Sequence, residues 1–326
     1  MIGIGIESTA HTIGVSVIED DEIRSNVKKA YTRSTGGMIP SQVSSHHVRY
    51  AHQVLKNALR KSGVDMEDIE FVGYSQSPGI GNCLRVGRVL AFSLSAQLDV
   101  KVIPVNHCIA HLEIGKFDTR AKNPIFLYAS GGNTQVINFE NKRYRVFGET
   151  EDMGVGNLLD SVARKLGLGF PGGPEIEKLA NKTEEFVLLP YNVKGMNVVF
   201  GGLYSHIKQK MLGKYSNEVI CNSLQETVFA MLVEICERAL AHSKKSELLL
   251  GGGVACNKRL QEMLRVMCEE RDATLFVPRN EYLVDNAAMI AQTAKLLHES
   301  NVVFSDDELR IDPKKRTDEV IIPYST

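Results

Sequence analysis

The 326-residue chain is first defined by what it lacks. Its six cysteines (Cys83, Cys108, Cys221, Cys236, Cys256 and Cys268) form no C-x-x-C pair, which excludes zinc-ribbon and thioredoxin-type motifs. A chain of this length buries a core without covalent staples, so they read as reduced, buried thiols of an intracellular protein. No run of 18 or more apolar residues occurs, and no segment is expected to span a membrane. The start, Met1 to Glu7, carries no basic leader or cleavage site, and the expected location is the cytoplasm. Lys and Arg number 38 against 39 Asp and Glu, a formal net charge of −1, which excludes a histone-like polycation. G-x-x-x-x-G-K-[ST] is missing, so the chain is no P-loop NTPase. Gly3-x-Gly5-x-Glu7-Ser8 lacks the third glycine of a dinucleotide fingerprint.

What is present has a repeating grammar. Ile2, Ile4 and Ile6 alternate with Gly3, Gly5 and Glu7, predicting a short strand that ends at the polar tip Glu7-Ser8-Thr9. Strands over 13–18 and 23–31 complete an antiparallel meander. About 122 residues later the pattern returns: strand 125–128, the turn Ser130-Gly131-Gly132-Asn133, strand 134–139 and strand 144–147, with Ser130 matching Ser8 and Thr134 matching Thr12. This points to an internal duplication of a strand-rich unit followed by helices. A helix is expected from Pro40 to about Lys61, capped by Ser41, with Val43, Val48, Ala51, Leu55, Ala58 and Leu59 near one face. Further helices are expected at 86–98, 224–239, 257–270 and 285–297, strands at 71–75, 102–105 and 248–250, and a charged tail from Ser305. The fold class is therefore α/β, with two lobes, 1–120 and 121–326, around a cleft. Ligands of such sheets sit at strand C-terminal ends, where the Gly-rich turns are.

Five constellations carry possible chemistry. His107 and His111, at i and i+4, share one helix face and suit one divalent metal, although two helix-surface or core histidines are the commoner meaning of that spacing alone. Cys108 follows His107, so the H-E-x-x-H protease motif is absent. The turn 128–134 exposes backbone N–H groups to an anion, or is simply a tight hairpin. Gly251-Gly252-Gly253 before Asn257 lets a flat ligand approach the backbone, or lets a strand and helix pack closely. Asp160, with Glu177 in the first turn of a helix opened by Pro174, offers carboxylates to ribose hydroxyls, or merely complements a helix dipole. Asp285 before an apolar helix is either its N-cap or an oxygen ligand for the histidine pair.

Taken in order, Gly5-Ile6-Glu7-Ser8-Thr9, Gly37-Met38-Ile39-Pro40, Ser77-Pro78-Gly79, Leu84-Arg85-Val86-Gly87, His107-x-x-x-His111, Ser130-Gly131-Gly132-Asn133-Thr134, Pro171-Gly172-Gly173-Pro174-Glu175-Ile176-Glu177 and Asp285-Asn286-Ala287-Ala288 resemble one family. It is the universal tRNA threonylcarbamoyladenosine transferases, catalytic subunits of the archaeal and eukaryotic KEOPS complex, once described as O-sialoglycoprotein endopeptidases. Tyr128 before Ala129-Ser130-Gly131-Gly132 matches the archaeal and eukaryotic branch. The match runs over nearly the whole chain. One departure is Phe200-Gly201-Gly202-Leu203, where similar sequences often carry Phe-Ser-Gly-Leu.

The resemblance implies an actin-like (ASKHA) fold of two duplicated ribonuclease-H-like lobes. It implies one iron or zinc ion, iron favoured, on His107, His111, Asp285 and Tyr128. It implies a nucleotide, ATP, AMP or threonylcarbamoyl-adenylate, gripped by Tyr128, Ala129, Ser130, Gly131, Gly132, Asp160, Gly173, Glu177 and Asn257. The implied reaction moves a threonylcarbamoyl group to the N6 amine of adenosine-37 in tRNAs that read codons beginning with A, with Glu7 the candidate to orient a group or accept a proton. Implied partners are tRNA, a small atypical kinase (fused after this region in some archaeal relatives), a small dimerising subunit on the first lobe and a further accessory protein. RNA contact is expected from Lys28, Lys29, Arg33, His46, His47 and Arg49. Alternative functions of the same fold are a small-molecule kinase, a metalloprotease and a nucleotide-gated scaffold.

Overall fold

A computed structural model describes residues 1–32 and 38–324; Arg33 and Gly37 lie outside the described residues. In the first lobe, β1 (Ile2–Glu7), β2 (Thr12–Glu19) and β3 (Glu22–Ala30) form the expected antiparallel meander. Helix α1 (Pro40–Ser62) leads to β4 (Phe71–Ser77), which pairs parallel to β1. Helix α2 (Gly81–Leu98) leads to β5 (Lys101–Asn106), parallel to β4, and α3 (His107–Thr119) leaves the sheet. The strand order is β3-β2-β1-β4-β5.

The second lobe repeats that order. Its meander is β6 (Ile125–Ala129), β7 (Thr134–Glu140) and β8 (Arg143–Glu149). Then follow α4 (Val155–Lys165), α5 (Gly173–Ala180), the short ladder β9 (Val193–Lys194) and β10 (Asn197–Val198), α6 (Gly201–His206) and α7 (Asn217–Ser243). Strand β11 (Glu247–Gly251) pairs parallel to β6 and, after α8 (Lys258–Glu270), β12 (Thr274–Phe276) pairs parallel to β11. Read in the same direction the order is β8-β7-β6-β11-β12, so the duplication written in the 122-residue offset is a duplicated sheet topology. Helix α7 is long and apolar enough to cross a membrane, but it is the core helix of this lobe: Leu224, Val228, Met231, Leu232, Ile235 and Ala239 are all fully buried.

The chain then turns back. After α9 (Asn280–Leu283), helix α10 (Ala287–Glu299) lies on the first sheet. One face of that sheet packs Ile4, Ile6, Val15 and Val17 against Ala51, Val54, Leu55 and Ala58 of α1. The opposite face is cut down to backbone. A Cβ on Gly5 would lie 2.2 Å from Ala291 N, and one on Gly73 would lie 2.4 Å from the Ala294 methyl. The alternating glycines of β1 are thus where helix and sheet touch, and α10 answers with alanines at 287, 291 and 294.

Three local expectations need correction. Ser41 does not cap α1: Pro40 occupies the first turn with Ile39 as N-cap, because proline needs no hydrogen-bond acceptor there. On α1, Val48 is 67% exposed, whereas His47 is fully buried with Val43, Ala51 and Leu55. The segment from Ser305 is no free tail. The carbonyls of Glu308 and Arg310 accept from the Gln76 amide, that of Leu309 accepts from Tyr74 Oη and Arg88, and the Gly79 N–H donates to Pro313. Beyond it, Arg316 pairs with Glu149, the Ile322 N–H donates to Lys142, and the Ile322 side chain is buried in the second lobe. The segment straps both lobes through its main chain, which its charged side chains do not announce.

Burial, aided by the nearby His46, lowers the His47 pKa from 6.5 to about 4. The unfolded chain therefore takes up this proton near pH 6.5 and the folded chain only near 4. The folded protein is expected to lose stability as the pH falls across that window, by at most about 3 kcal/mol. Urea melts at pH 7 and 4.5 for wild type and His47→Leu check this: the variant should show a shallower fall.

Candidate functional site

Three elements from distant parts of the chain meet at the base of the cleft. Asn106 caps α3 by accepting from the Cys108 and Ile109 N–H groups, so the helix starts at His107 and presents His107 and His111 on one face. Their rings stand edge to face with centroids 4.8 Å apart. Asp285 arrives from the seat of α10. Asn286, not Asp285, is the N-cap of that helix, its side chain accepting from Met289 N. The cap duty falls one residue later than an N-cap role for Asp285 requires, and Asp285 is free to face the histidines. Asp285 Oδ1 lies 3.5 Å from His107 Nε2 and 3.5 Å from His111 Nε2, and one ligand atom from each of the three lies within 4.8 Å of the others.

The surroundings set the charge states. Burial opposes a charged His107, yet the carboxylate of Glu7 against its Nδ1 at 3.0 Å outweighs it and raises the pKa to about 9. Burial lowers the His111 pKa, which keeps that ring neutral. Burial also opposes a charged Asp285, but contact with His111 and the charges of His107 and His11 hold its carboxyl well below the usual range. Among the described residues, neither ring nitrogen of His111 has a hydrogen-bond partner although the side chain is buried. A buried, neutral, unpartnered imidazole beside a second imidazole and a carboxylate fits a divalent transition metal by donor chemistry.

Glu7 shows how such a centre is held. It is fully buried; one oxygen accepts from the Thr9 N–H (2.6 Å) and the Thr9 hydroxyl, and the other faces His107 Nδ1. This contact holds the His107 ring at Nδ1 and turns its Nε2 toward Asp285. Tyr128 is also fully buried, its ring tilted against His111 at 5.2 Å between centroids, and burial pushes its phenol well above the usual range.

Above this base the cleft encloses about 440 Å³. His107, Tyr128, Ser130, Gly131, Gly132, Asp160, Gly173, Glu177, Asn257 and Asp285 all line it. His111 and Glu7 lie behind that surface. Ala129 belongs to the core of the second lobe, so its side chain does not reach a ligand. In the turn itself the Ser130 N–H is closed onto Asn133 O, while among the described residues the Gly131 and Gly132 N–H groups are unengaged. The start of α4 braces the turn from below: Gly156 N donates to Ser130 O and Asn157 N to Gly131 O. A Cβ on Gly156 would come within 2.7 Å of Gly131 Cα, a close approach that sequence inspection did not single out.

The opposite wall places its acids by structural bonds. Asp160 Oδ1 accepts from Gly172 N at 2.6 Å, and Glu177 Oε1 accepts from Lys258 N at 2.7 Å, leaving the second oxygen of each without a partner among the described residues. Asn257 caps α8 through Oδ1 and donates to Gln225, so its amide is already largely engaged. The triple glycine packs closely at one residue and opens at the next. Gly252, at φ +88°, closes against Ala129 O, while Gly253 lines the cleft. His11, which lines the cleft 3.8 Å from Asp285 Oδ2, went unnoticed in the sequence because nothing in its spacing marks it. Thr9 of the polar tip after β1 also lines the cleft, and Lys28 donates to the Asp285 carbonyl. Of the basic residues expected to meet RNA, His47 is buried and Lys28 is tied to that carbonyl.

Two sheets of identical topology, facing each other across a cleft with Gly-rich turns at its edges, define an actin-like α/β protein. The solved structure of Thermococcus kodakarensis HypF agrees: TM-score 0.64 at 14% identity, over 94% of this chain and 48% of that one. At that identity the likeness concerns the fold alone. A family model described as TsaD, tRNA N6-adenosine threonylcarbamoyltransferase, matches residues 22–292. A relative of that name from Thermococcus kodakarensis is 47% identical over 99% of this chain and all of its own. The chain belongs to the tRNA N6-adenosine threonylcarbamoyltransferase family. It is also 45% identical to a probable bifunctional tRNA threonylcarbamoyladenosine biosynthesis protein of Methanosarcina acetivorans, spanning 59% of that longer chain.

Since Glu7 orients His107, Glu7→Gln is expected to weaken divalent metal binding about 10- to 100-fold while the protein stays folded. Competition against a fluorescent chelator, with circular dichroism as the folding control, checks this.

Proposed function

We propose that the chain transfers a threonylcarbamoyl group from its adenylate to the N6 amine of adenosine-37 in tRNAs that read codons beginning with A. The observation that carries this is the His107–His111–Asp285 cluster at the base of a cleft whose wall offers the unengaged Gly131 and Gly132 N–H groups. Family membership supports the same chemistry. In the reaction the N6–carbonyl carbon bond forms, the bond from that carbon to the adenylate oxygen breaks, AMP leaves with the electron pair, and N6 gives up a proton.

His107, His111 and Asp285 would hold one divalent ion, iron in preference to zinc, with Tyr128 as a neighbouring oxygen. Bound there, such an ion supplies Lewis acidity toward carbonyl and phosphate oxygens. The chain's own groups do the rest. Glu7 and Thr9 fix the His107 ring. The Gly131 and Gly132 N–H groups meet the phosphate that departs as a dianion, a preorganised contact that gains strength as charge develops. The partnerless oxygens of Asp160 and Glu177 accept from ribose hydroxyls, and Gly173 and Gly253 let the nucleoside lie against backbone. Holding both reactants here supplies much of the remaining rate.

The fused architecture of the Methanosarcina relatives supports a second activity working beside this one. On the resemblance in the sequence this activity would be that of a small atypical kinase, alongside a dimerising subunit on the first lobe and an accessory protein, in the cytoplasm.

Nucleoside mass spectrometry tests the proposal. Unmodified tRNA is incubated with threonine, bicarbonate, ATP, the adenylate-forming enzyme and partner subunits, with the chain, without it, and with His111→Ala. Threonylcarbamoyladenosine should appear only with the intact chain, and His111→Ala should lose bound metal and product together. Full transfer by a metal-free His111→Ala protein would overturn the scheme.

A further inference from the structure

The transfer proposed above brings two purines into one cleft, one leaving on the adenylate and one arriving as acceptor. The groups assigned to the adenylate (Gly131, Gly132, Asp160, Gly173, Glu177 and Asn257) all belong to the second lobe. The acceptor base has no group assigned to it. Chemistry on a base requires it to be unstacked from its RNA neighbours, and proteins hold such bases by stacking them on aromatic side chains. Four aromatic side chains line the cleft among the described residues: His11, His107, Tyr128 and Phe170. His107 and Tyr128 are buried in the metal-ligating cluster. His11, with a side chain 33% exposed, and the half-buried Phe170 keep surface open to a ligand.

Their placement suits the acceptor. His11 comes from the turn after β1 and Phe170 from the loop before α5, so the pair spans the two lobes. The rings stand edge to face, 6.0 Å between centroids and 85° between planes. His11 Nδ1 is 3.8 Å from Asp285 Oδ2, which puts the pair beside the triad. Phe170 belongs to none of the apolar clusters of the core, so packing does not account for a large aromatic at this position. No basic or amide group is needed for this role, because every base offers a π face to a ring.

We propose that the acceptor adenine stacks on the face of Phe170 and is bounded by the His11 ring standing edge to face beside it, with its N6 edge toward the His107–His111–Asp285 cluster. Phe170 and His11 are then substrate-touching residues that govern tRNA affinity and leave adenylate affinity alone. Base–aromatic stacking of the usual strength makes the expected rise in tRNA KM about 10- to 100-fold on its removal.

The test is steady-state kinetics of the assembled, metal-loaded complex, varying tRNA and threonylcarbamoyl-adenylate separately. Phe170→Leu keeps the size and removes the π face; Phe170→Tyr keeps both. The expected result is a raised tRNA KM in Phe170→Leu, recovery in Phe170→Tyr, and an unchanged adenylate KM. His11→Leu, read from the other lobe, should behave as Phe170→Leu does and stands in for it if that variant fails to fold. An unmoved tRNA KM, or a loss that falls on the adenylate, would overturn the stacking while wild-type turnover leaves the transfer itself standing. No product from the wild-type complex would instead remove the reading on which the stacking rests.

Discussion

The site depends on one close contact, the seat of α10 on the bare face of the first sheet. Gly5 and Gly73 remove the side chains that would hold a helix at ordinary distance, and Ala287, Ala291 and Ala294 do the same from the helix side. The contact fixes where α10 begins. Asn286 then takes the cap, and Asp285 sits one residue earlier, opposite α3. Its oxygen thereby reaches histidines more than 170 positions away in the sequence. A ligand set assembled this way is built from the lobe's packing rather than from a local loop. Glu7, on the strand under the same helix, completes it by holding the His107 ring.

The duplicated lobes divide the remaining work. The first provides two metal-ligand candidates, His107 and His111, and Glu7, the acid that holds the His107 ring. The second turns the equivalent hairpin, 130–133, toward the cleft as exposed backbone. The two turns occupy matching places in matching sheets, after β1 and after β6. Their contents differ: Glu7-Ser8-Thr9 is buried side chain, while Gly131-Gly132 is open N–H. The same turn thus presents buried side chains in one copy and open backbone in the other. The C-terminal strap adds a third link between lobes, reaching Gly79 at the cleft rim before it crosses to Glu149 and Lys142.

Much of this was legible in the sequence because period and spacing encode it directly. Alternating Ile and Gly marked β1, the i, i+4 histidines marked one helix face, and the Ser8/Ser130 and Thr12/Thr134 offset marked the repeated sheet. What stayed hidden depends on partners far along the chain. Asp285 left two readings open, cap or ligand, since an acid before an apolar helix fits both and only the packing of α10 separates them. The inward turn of Ala129 follows from strand register, and the burial of His47 in place of Val48 from how α1 rolls on the sheet. The strap beyond Ser305 is anchored by carbonyls, so its charged side chains suggested solvent. His11 and Phe170 carry no spacing signal at all, because the two lobes bring them together.

The most direct measurement is the anomalous diffraction of crystals grown with iron or zinc. The expected result is a single strong peak bounded by His107 Nε2, His111 Nε2 and an Asp285 oxygen, lost in His111→Ala. An ion bound elsewhere in an active protein, or none at this cluster under conditions that support transfer, would contradict the assembly of one metal centre by the seating of α10.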